Sequence, residues 1–261
     1  MFTGSMGTFH AVWARVVYRL TARYRGGHRV HSPYLFHFLN FVLFEERPYY
    51  IYGKMKAVCR RLSRSRECIK GVHGGTVRVA RLVRADSAAL RLNELLHRIC
   101  VYIHARSVVE VGTGVGVCAA YMAAADSRST VRTLESDKAL ADYAVKLHKE
   151  LKLNNITVYS GCMNQQLEQM LAEAGSVDMF HIVLNGNMTF DTMTAVYEVC
   201  RGSVHRGSVM VIDGIHVSRQ AELLWKRVVA DSAVSLCVDI YRRGIVWFNP
   251  DLPHRCYTVA Y

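Results

Sequence analysis

From residue 107 onward, the chain alternates between two hydrophobic patterns. Short runs rich in β-branched residues predict strands at 107–113, 130–135, 156–161, 177–186 and 208–214. Apolar positions at helical spacing predict helices between them, over 117–125, 138–151, 164–174, 190–204 and 218–230. Strands that alternate with helices are typical of a parallel sheet flanked by helices. The pattern therefore predicts an α/β fold.

The C-terminal part departs from this alternation. Segments 234–241 and 244–249 both read as strands, but only two arginines separate them. That connection is too short for the crossover that joins parallel strands, so the pair is predicted to be an antiparallel hairpin. A last strand, 256–261, follows a turn that contains two prolines.

The residues before 107 read as mostly helical. Ser32 and Pro33 form a good N-cap and first-turn pair, and a run of apolar residues follows them at helical spacing (Leu35, Phe38, Leu39, Val42 and Leu43). Segment 69–79 contains three glycines and is predicted to be a loop. Residues 1–106 thus form a mainly helical extension, and 107–261 form the α/β domain.

A basic amphipathic helix is predicted near the N-terminus. Arginines 15, 19 and 23 share one face, and the other face carries Trp13, Val16, Val17 and Leu20. Packing of the apolar face on the domain is the favoured interpretation, and binding to a membrane surface or to RNA is the alternative.

The charge of +12 is unevenly distributed along the 261 residues. Residues 1–106 carry 19 Lys and Arg against 5 Asp and Glu, whereas residues 107–261 carry 14 against 16. The N-terminal excess indicates either an anionic partner, such as an acidic substrate, RNA or a lipid surface, or a solvated arginine-rich surface.

The eight cysteines occur singly, without the spacing of a disulfide framework or a zinc site. No stretch approaches the roughly 20 apolar residues of a membrane span, and arginines interrupt the only candidate signal segment. We therefore expect a cytoplasmic protein that is not integral to a membrane.

A glycine-rich turn follows the strand at 107–113. The stretch VVEVGTGVGV places Gly112, Gly114 and Gly116 at alternate positions, with Glu110 two residues before the first. A dinucleotide fingerprint would need glycine where Val117 stands, and no Gly-Lys-Ser/Thr follows for a Walker loop.

A second acid lies at the end of the next predicted strand. Glu135 follows Gly116 by 19 residues, where a carboxylate can accept hydrogen bonds from both hydroxyls of a ribose. The spacing therefore indicates a nucleoside cofactor.

The E-x-G-x-G-x-G arrangement resembles the first motif of class I S-adenosylmethionine-dependent methyltransferases, and the predicted strand series resembles their sheet. The resemblance implies a Rossmann-like, mostly parallel sheet with an antiparallel C-terminal hairpin, S-adenosylmethionine as cofactor, and a helical N-terminal extension that covers the substrate. It also implies a set of cofactor-binding residues: Glu110, Gly112, Thr113, Gly114, Gly116, Glu135, Ser136, Gly161, Cys162, Met163 and Asn185.

A closer resemblance spans nearly the whole chain. Segments 28–39, 108–117, 211–228 and 238–248 resemble an uncharacterised group of class I methyltransferases from Bacteroidetes, whose sheet is similar to that of catechol-type O-methyltransferases.

Two strand ends depart from the pattern of these relatives. This chain has Asn-Gly-Asn-Met at 185–188 where they tend to show Asp-Gly-Asn-His, and Asp-Gly-Ile-His at 213–216 where they tend to show Asp-Asp-Ile-His. In catechol-type enzymes these strand ends supply oxygen ligands to magnesium. Only Asp213 remains a carboxylate here, and hard cations usually need more anionic oxygen. We therefore expect no catalytic metal.

Four residues are candidates for work on the methyl acceptor. Asp213 and His216 can orient the acceptor or act as a base, although a histidine at a helix entry can also simply bond a backbone carbonyl. His31 and Tyr34 can close over the site from the N-terminal segment, or they can belong to a capped core helix.

Three functions remain open from the sequence. The leading one is methyl transfer to an unidentified small or conjugated acceptor. The second is an RNA-binding or RNA-modifying protein that uses the arginine-rich first 106 residues. The third is a catalytically degenerate interaction protein with the methyltransferase fold, suggested by Asn185, Met188 and Gly214.

Overall fold

A computed structural model describes residues 15–22, 32–70, 75–87, 90–186 and 188–261. The chain divides into two compact units. The terminal unit comprises Met1–Glu45 and Asp178–Tyr261, and the central unit comprises Glu46–Val177. The predicted boundary at residue 106 stays a prediction. Trp13, Arg23, His31 and Asn187 lie outside the described residues.

The first described residues of the terminal unit form a helix, α1, which is described over 15–21. Val16, Val17 and Leu20 are 43%, 41% and 76% exposed, so the favoured interpretation that this apolar face packs on the domain is wrong for these residues. Tyr18 is the residue of α1 that contacts the C-terminal segment. Its hydroxyl donates to the backbone oxygen of Val259.

The next helix, α2 (Pro33–Phe38), confirms the predicted cap, because the Ser32 hydroxyl accepts from the amide of Leu35 at 3.3 Å. The helix continues as a π-helical segment, Leu39–Leu43. All five apolar positions predicted for this region are buried.

The central unit starts with helical structure and a small hairpin. The helices are α3 (Tyr50–Ser63), α4 (Val79–Ser87) and α5 (Leu90–Tyr102), and the strands between α3 and α4 are β1 (Cys68–Lys70) and β2 (Thr76–Arg78). The loop predicted over 69–79 is therefore wrong at both ends, where Ile69 pairs with Val77 in an antiparallel ladder. The β-branched residues that flank the glycines supply this ladder.

Three parallel strands and their helices complete the central unit. The strands are β3 (Ser107–Val111), β4 (Thr130–Glu135) and β5 (Ile156–Ser160), with β4 between the other two. The helices that follow them are α6 (Val117–Ala123), α7 (Lys138–Glu150) and α8 (Met163–Ala174). The predicted strands and helices of this region are confirmed, and their ends shift by a few residues at most.

The second part of the terminal unit holds the remaining strands. In chain order its elements are β6 (Met179–Val183), α9 (Phe190–Arg201), β7 (Val209–Asp213), α10 (Arg219–Val229), β8 (Leu236–Asp239), β9 (Arg243–Trp247) and β10 (Arg255–Thr258). The order of its strands is β10-β8-β9-β7-β6. β6 and β7 are parallel, β8 and β9 form the predicted antiparallel hairpin, and β10 runs parallel to β8.

These elements confirm the predicted α/β fold with an antiparallel C-terminal ending. Among the described residues, every helix is too short or too polar to cross a bilayer.

Within the terminal unit, helix α10 packs closely against one face of the hairpin formed by β8 and β9. Gly244 lies in β9 opposite the indole of Trp225, and a β-carbon at this position would lie 2.3–2.8 Å from three indole carbons. Trp225 and Gly244 thus form a complementary large and small pair.

Gly244→Ala should destabilise the protein, because the rigid indole cannot yield without repacking. We expect a loss of about 1–3 kcal/mol in the free energy of unfolding, measured by urea titration. Gly53→Ala is the control, since nothing lies within 4 Å of its added β-carbon in α3, and it should be neutral or stabilise by up to about 1 kcal/mol. Equal effects of the two substitutions would contradict the packing argument.

Candidate functional site

The glycine-rich turn joins β3 to α6 in the central unit. Gly112, Gly114 and Gly116 have φ values of +100°, +55° and +85°, in the region that side chains disfavour. The amides of Gly112 and Thr113 both donate to the backbone oxygen of Leu134 in β4, at 2.9 and 3.2 Å. The alternate glycines are therefore a conformational requirement of this turn.

The glycines at 114 and 116 face different surroundings. A β-carbon on Gly116 would lie 2.5 Å from His148 Nε2 and 2.9 Å from the β-carbon of Ala144, so this glycine permits α7 to pack on the turn. A β-carbon on Gly114 would meet nothing within 4 Å. The open side of the turn is thus at Gly114, where a ligand can approach bare backbone.

His148 fastens the turn from α7. Its Nε2 lies 2.8 Å from the backbone oxygen of Gly116, and because a carbonyl only accepts, Nε2–H is the donor. Burial lowers the pKa of His148, so the ring is neutral near pH 7. The sequence analysis missed this residue, since nothing local distinguishes a histidine that lies 32 positions from its partner.

Glu110, the first predicted acid, lies beneath the turn and is completely buried. The Thr133 hydroxyl donates to its Oε2 at 2.6 Å, and the hydroxyls of Thr113 and Thr133 are 2.6 Å apart. Because Thr133 gives its only proton to the carboxylate, Thr113 must donate to Thr133. The chain of hydrogen bonds therefore connects the buried acid to the turn.

Thr133 is a second residue that the sequence analysis missed. It is the register partner of Glu110 on the neighbouring strand, and this pairing brings its hydroxyl next to the carboxylate. A polar residue inside a predicted buried strand was the available signal.

Glu135, the second predicted acid, ends β4 beside the turn. Its Oε2 accepts from the amide of Gly114 at 2.8 Å, and its Oε1 accepts from the amide of Asp137 at 3.1 Å. Burial raises the pKa of Glu135, aided by the charges of Asp137 and Glu110, and outweighs the two amide hydrogen bonds. The hydrogen bond from the Gly114 amide thus holds the Glu135 carboxylate against the open glycine.

The remaining residues predicted for the cofactor in this unit also follow strand ends. Ser136 follows Glu135, and Gly161, with φ of +132°, follows β5 and leads through the exposed Cys162 to Met163 at the start of α8. Since β3, β4 and β5 are adjacent and parallel, their carboxyl ends lie at one edge. The central unit thus gathers ten of the eleven predicted cofactor residues at that edge.

Asn185, the eleventh, belongs to the terminal unit and follows β6. Its backbone oxygen accepts from the amide of Met188 at 3.2 Å. Tyr34 lies in α2 of the same unit, with its ring edge-on to Trp247 at 6.1 Å.

Asp213, at the end of β7, is paired with a residue that the sequence analysis missed. Arg243 directs both Nε and a terminal nitrogen to Asp213 Oδ2 at 2.8 Å, and the arginine side chain is only 1% exposed. Burial opposes ionisation of Asp213, but the positive charge and hydrogen bonds of Arg243 outweigh it and lower the pKa. Asp213 is therefore an ionised partner of a buried cation.

His216 lies between two carboxylates. Its Nε2 is 3.0 Å from Asp239 Oδ2, its Nδ1 is 3.1 Å from Glu222 Oε1, and its ring stacks on Tyr241 at 5.5 Å. Burial opposes the charged form, yet the two carboxylates outweigh it and raise the pKa. Its partners are thus carboxylates and not the backbone carbonyl of the alternative interpretation.

The structure gives a physical reason for the glycine at position 214. Its φ is +85°, and a β-carbon here would lie 2.7 Å from the backbone oxygen of Leu184. This backbone therefore does not accommodate a side chain at position 214 without a shift.

No family model matches the chain, and no curated protein sequence matches it. Solved structures do. An O-methyltransferase from Bacillus cereus in complex with SAH is 20% identical, with 64% of this chain and 87% of that chain covered and a TM-score of 0.52. Cofactor-bound Rv0187 from MTB is 16% identical, with 85% and 99% covered and a TM-score of 0.58.

A third similar structure is the O-methyltransferase TomG from Streptomyces achromogenes, involved in tomaymycin synthesis, in complex with SAM. It is 15% identical, with 80% of this chain and 93% of that chain covered and a TM-score of 0.51. At these identities the likeness establishes the fold, which is that of the class I methyltransferases.

Gly116→Ala should destabilise the protein more than Gly114→Ala. Both substitutions place a side chain in a left-handed conformation, at a cost of about 1–2 kcal/mol each, but only the first also collides with α7. We expect a difference of about 1–3 kcal/mol in the free energy of unfolding. Equal losses would show that His148 and Ala144 do not constrain the turn.

His216→Asn should remove a pH-dependent part of the stability. Because the folded pKa is raised, the contribution of His216 is complete below the unfolded pKa of about 6.5 and is lost as pH rises through the folded value. The difference in unfolding free energy between wild type and variant should therefore shrink as the pH rises from about 6.5 through the raised folded pKa of His216. A difference that is constant with pH would contradict the charged pair.

Proposed function

We propose that this protein is an S-adenosylmethionine-dependent methyltransferase that transfers the methyl group to a small or conjugated acceptor without a catalytic metal. The observation that carries the proposal is the open backbone at Gly114 directly beside the Glu135 carboxylate. The solved structures with SAM or SAH bound to the same fold support it.

The residues of the central unit fit this cofactor. The Glu135 carboxylate has lone pairs beyond its two amide bonds and would accept from the ribose hydroxyls. The turn at Gly114 admits a ligand against its backbone, and Ser136 and residues 161–163 would border the ribose and the adenine. Once bound, the cofactor supplies a methyl group already activated on a sulfonium.

Glu110 acts through the turn in this proposal. Its complete burial and its bond to Thr133 place the negative charge beneath Thr113, where it favours a nearby cation and orients the hydroxyl chain. We assign it to the positioning of the turn and to the attraction of the cofactor's amino group.

Asp213 and His216 are better suited to orienting the methyl acceptor than to abstracting a proton from it. Asp213 has a lowered pKa and is bound by Arg243, so it is a weak base. His216 has a raised pKa, and both of its ring nitrogens face carboxylates. We therefore propose an acceptor whose nucleophile needs no strong base from the protein, with Tyr34 and Asn185 contributing to its surroundings.

Metal-independent transfer is part of the proposal. Asn185 offers a neutral amide after β6, Gly214 has no side chain to offer, and Asp213 and His216 are already paired with Arg243 and with carboxylates. Mg²⁺ favours sites richer in anionic oxygen. Alignment of the acceptor with the sulfonium and exclusion of water then supply the catalysis.

Glu135→Gln should weaken the binding of S-adenosylhomocysteine by about 10–100-fold, since charged hydrogen bonds contribute about 1.5–3 kcal/mol. Glutamine keeps one oxygen for the Gly114 amide but loses the acceptor for the Asp137 amide, so the melting temperature of the variant is measured beside its affinity to check that the turn keeps its shape. Isothermal titration calorimetry of the whole chain measures the affinity, which we expect to be micromolar or tighter for the wild type.

Glu150→Gln is the matched control, because this exposed glutamate in α7 pairs with the surface residue Arg61 and lies outside the glycine turn. Its binding should equal that of the wild type. An absence of binding by the wild type would refute the cofactor assignment. Binding without consumption of S-adenosylmethionine in any acceptor screen would favour the degenerate interaction protein.

A further inference from the structure

Two cysteines lie side by side at the edge of the terminal unit's sheet. Cys237 in β8 and Cys256 in β10 are register partners in a parallel pair of strands. Register partners project to the same face, and the strands of a sheet lie about 4.8 Å apart. That spacing is within the range of about 4.4–6.8 Å between the α-carbons of a disulfide.

Both thiols border one small cavity. Its volume is about 260 Å³, and Asp231, Ser235 and His254 also line it. Cys237 is 2% exposed, whereas Cys256 is partly exposed. A small reagent that enters the cavity therefore reaches Cys256 first.

The two sulfur atoms interact directly. A hydrogen bond to Cys256, together with burial, raises the pKa of Cys237. Cys237 therefore holds its proton next to the sulfur of Cys256.

We propose that Cys237 and Cys256 form a modification site at which peroxides close a disulfide between β8 and β10. The Cys256 thiolate attacks the peroxide, so that the O–O bond breaks, an S–O bond forms and one molecule of water leaves after protonation. Cys237 sulfur then attacks Cys256 sulfur, the S–O bond breaks, and the departing hydroxide takes the Cys237 proton as a second water. Two thiols and hydrogen peroxide thus give one disulfide and two waters.

The consequence is structural. β10 is the outermost strand in the order of the terminal unit, and β8 is its neighbour. A disulfide would tie this edge strand to β8 and would form a covalent loop between residues 237 and 256. The loop would reduce the conformational freedom of the unfolded state. The site is independent of the proposed methyl transfer.

The test treats the whole protein with hydrogen peroxide, blocks the remaining thiols, and maps disulfides by mass spectrometry of a non-reduced digest. We expect a Cys237–Cys256 cross-linked peptide, an intact mass lower by two hydrogen atoms, and a raised melting temperature. Dithiothreitol should reverse all three.

Cys256→Ser should lose both the cross-link and the rise in melting temperature. Cys68→Ser is the matched control, because Cys68 is more exposed than Cys256 but lies in β1 of the central unit, and this variant should behave as the wild type. In Cys237→Ala, a sulfenic acid on Cys256 should persist and react with dimedone.

The cross-link map of the wild type decides the proposal even if Cys237→Ala fails to fold. Oxidation of Cys256 to sulfinic acid without a link, a disulfide to another cysteine, or two intact thiols when Cys68 is oxidised would each overturn it.

Discussion

The left-handed backbone of the turn after β3 is the constraint on which the candidate site depends. β4 fixes the turn through the Leu134 oxygen and the Glu135 carboxylate, and α7 fixes it through His148 and the close approach to Gly116. A turn held by both β4 and α7 has little freedom to rearrange, so the open face at Gly114 is available before any ligand binds. Such preorganisation lowers the cost of binding.

Buried and partly buried charges in the terminal unit are stabilised in a different way, by pairing with opposite charges. Asp213 and Arg243 neutralise each other, and His216 takes the same role towards Asp239 and Glu222. A buried charge is costly unless it is paired, and removal of one partner leaves the other uncompensated. These clusters therefore stabilise particular loop conformations at the strand ends, which is the contribution we assign to them in place of acid and base chemistry.

In the proposed function, the glycine turn and the paired charges have different roles. Bare backbone and one accessible carboxylate in the central unit favour a cationic nucleoside, and paired charges in the terminal unit favour a fixed set of loops. Methyl transfer from a sulfonium is consistent with these two environments, because the reaction depends more on alignment of the acceptor and exclusion of water than on proton transfer by the protein. The dithiol between β8 and β10 is a separate feature of the edge of that sheet.

The sequence by itself determined the alternation of strands and helices, the closing hairpin, the turn with alternate glycines and the carboxylate that follows β4. These features depend on local periodicity and on backbone angles that only glycine adopts freely. Only the tertiary structure decided the partners: Thr133 for Glu110, His148 for Gly116, Arg243 for Asp213, and exposure for Leu20. Buried polar groups find partners through register and packing between elements far apart in the chain, and no local pattern records that choice.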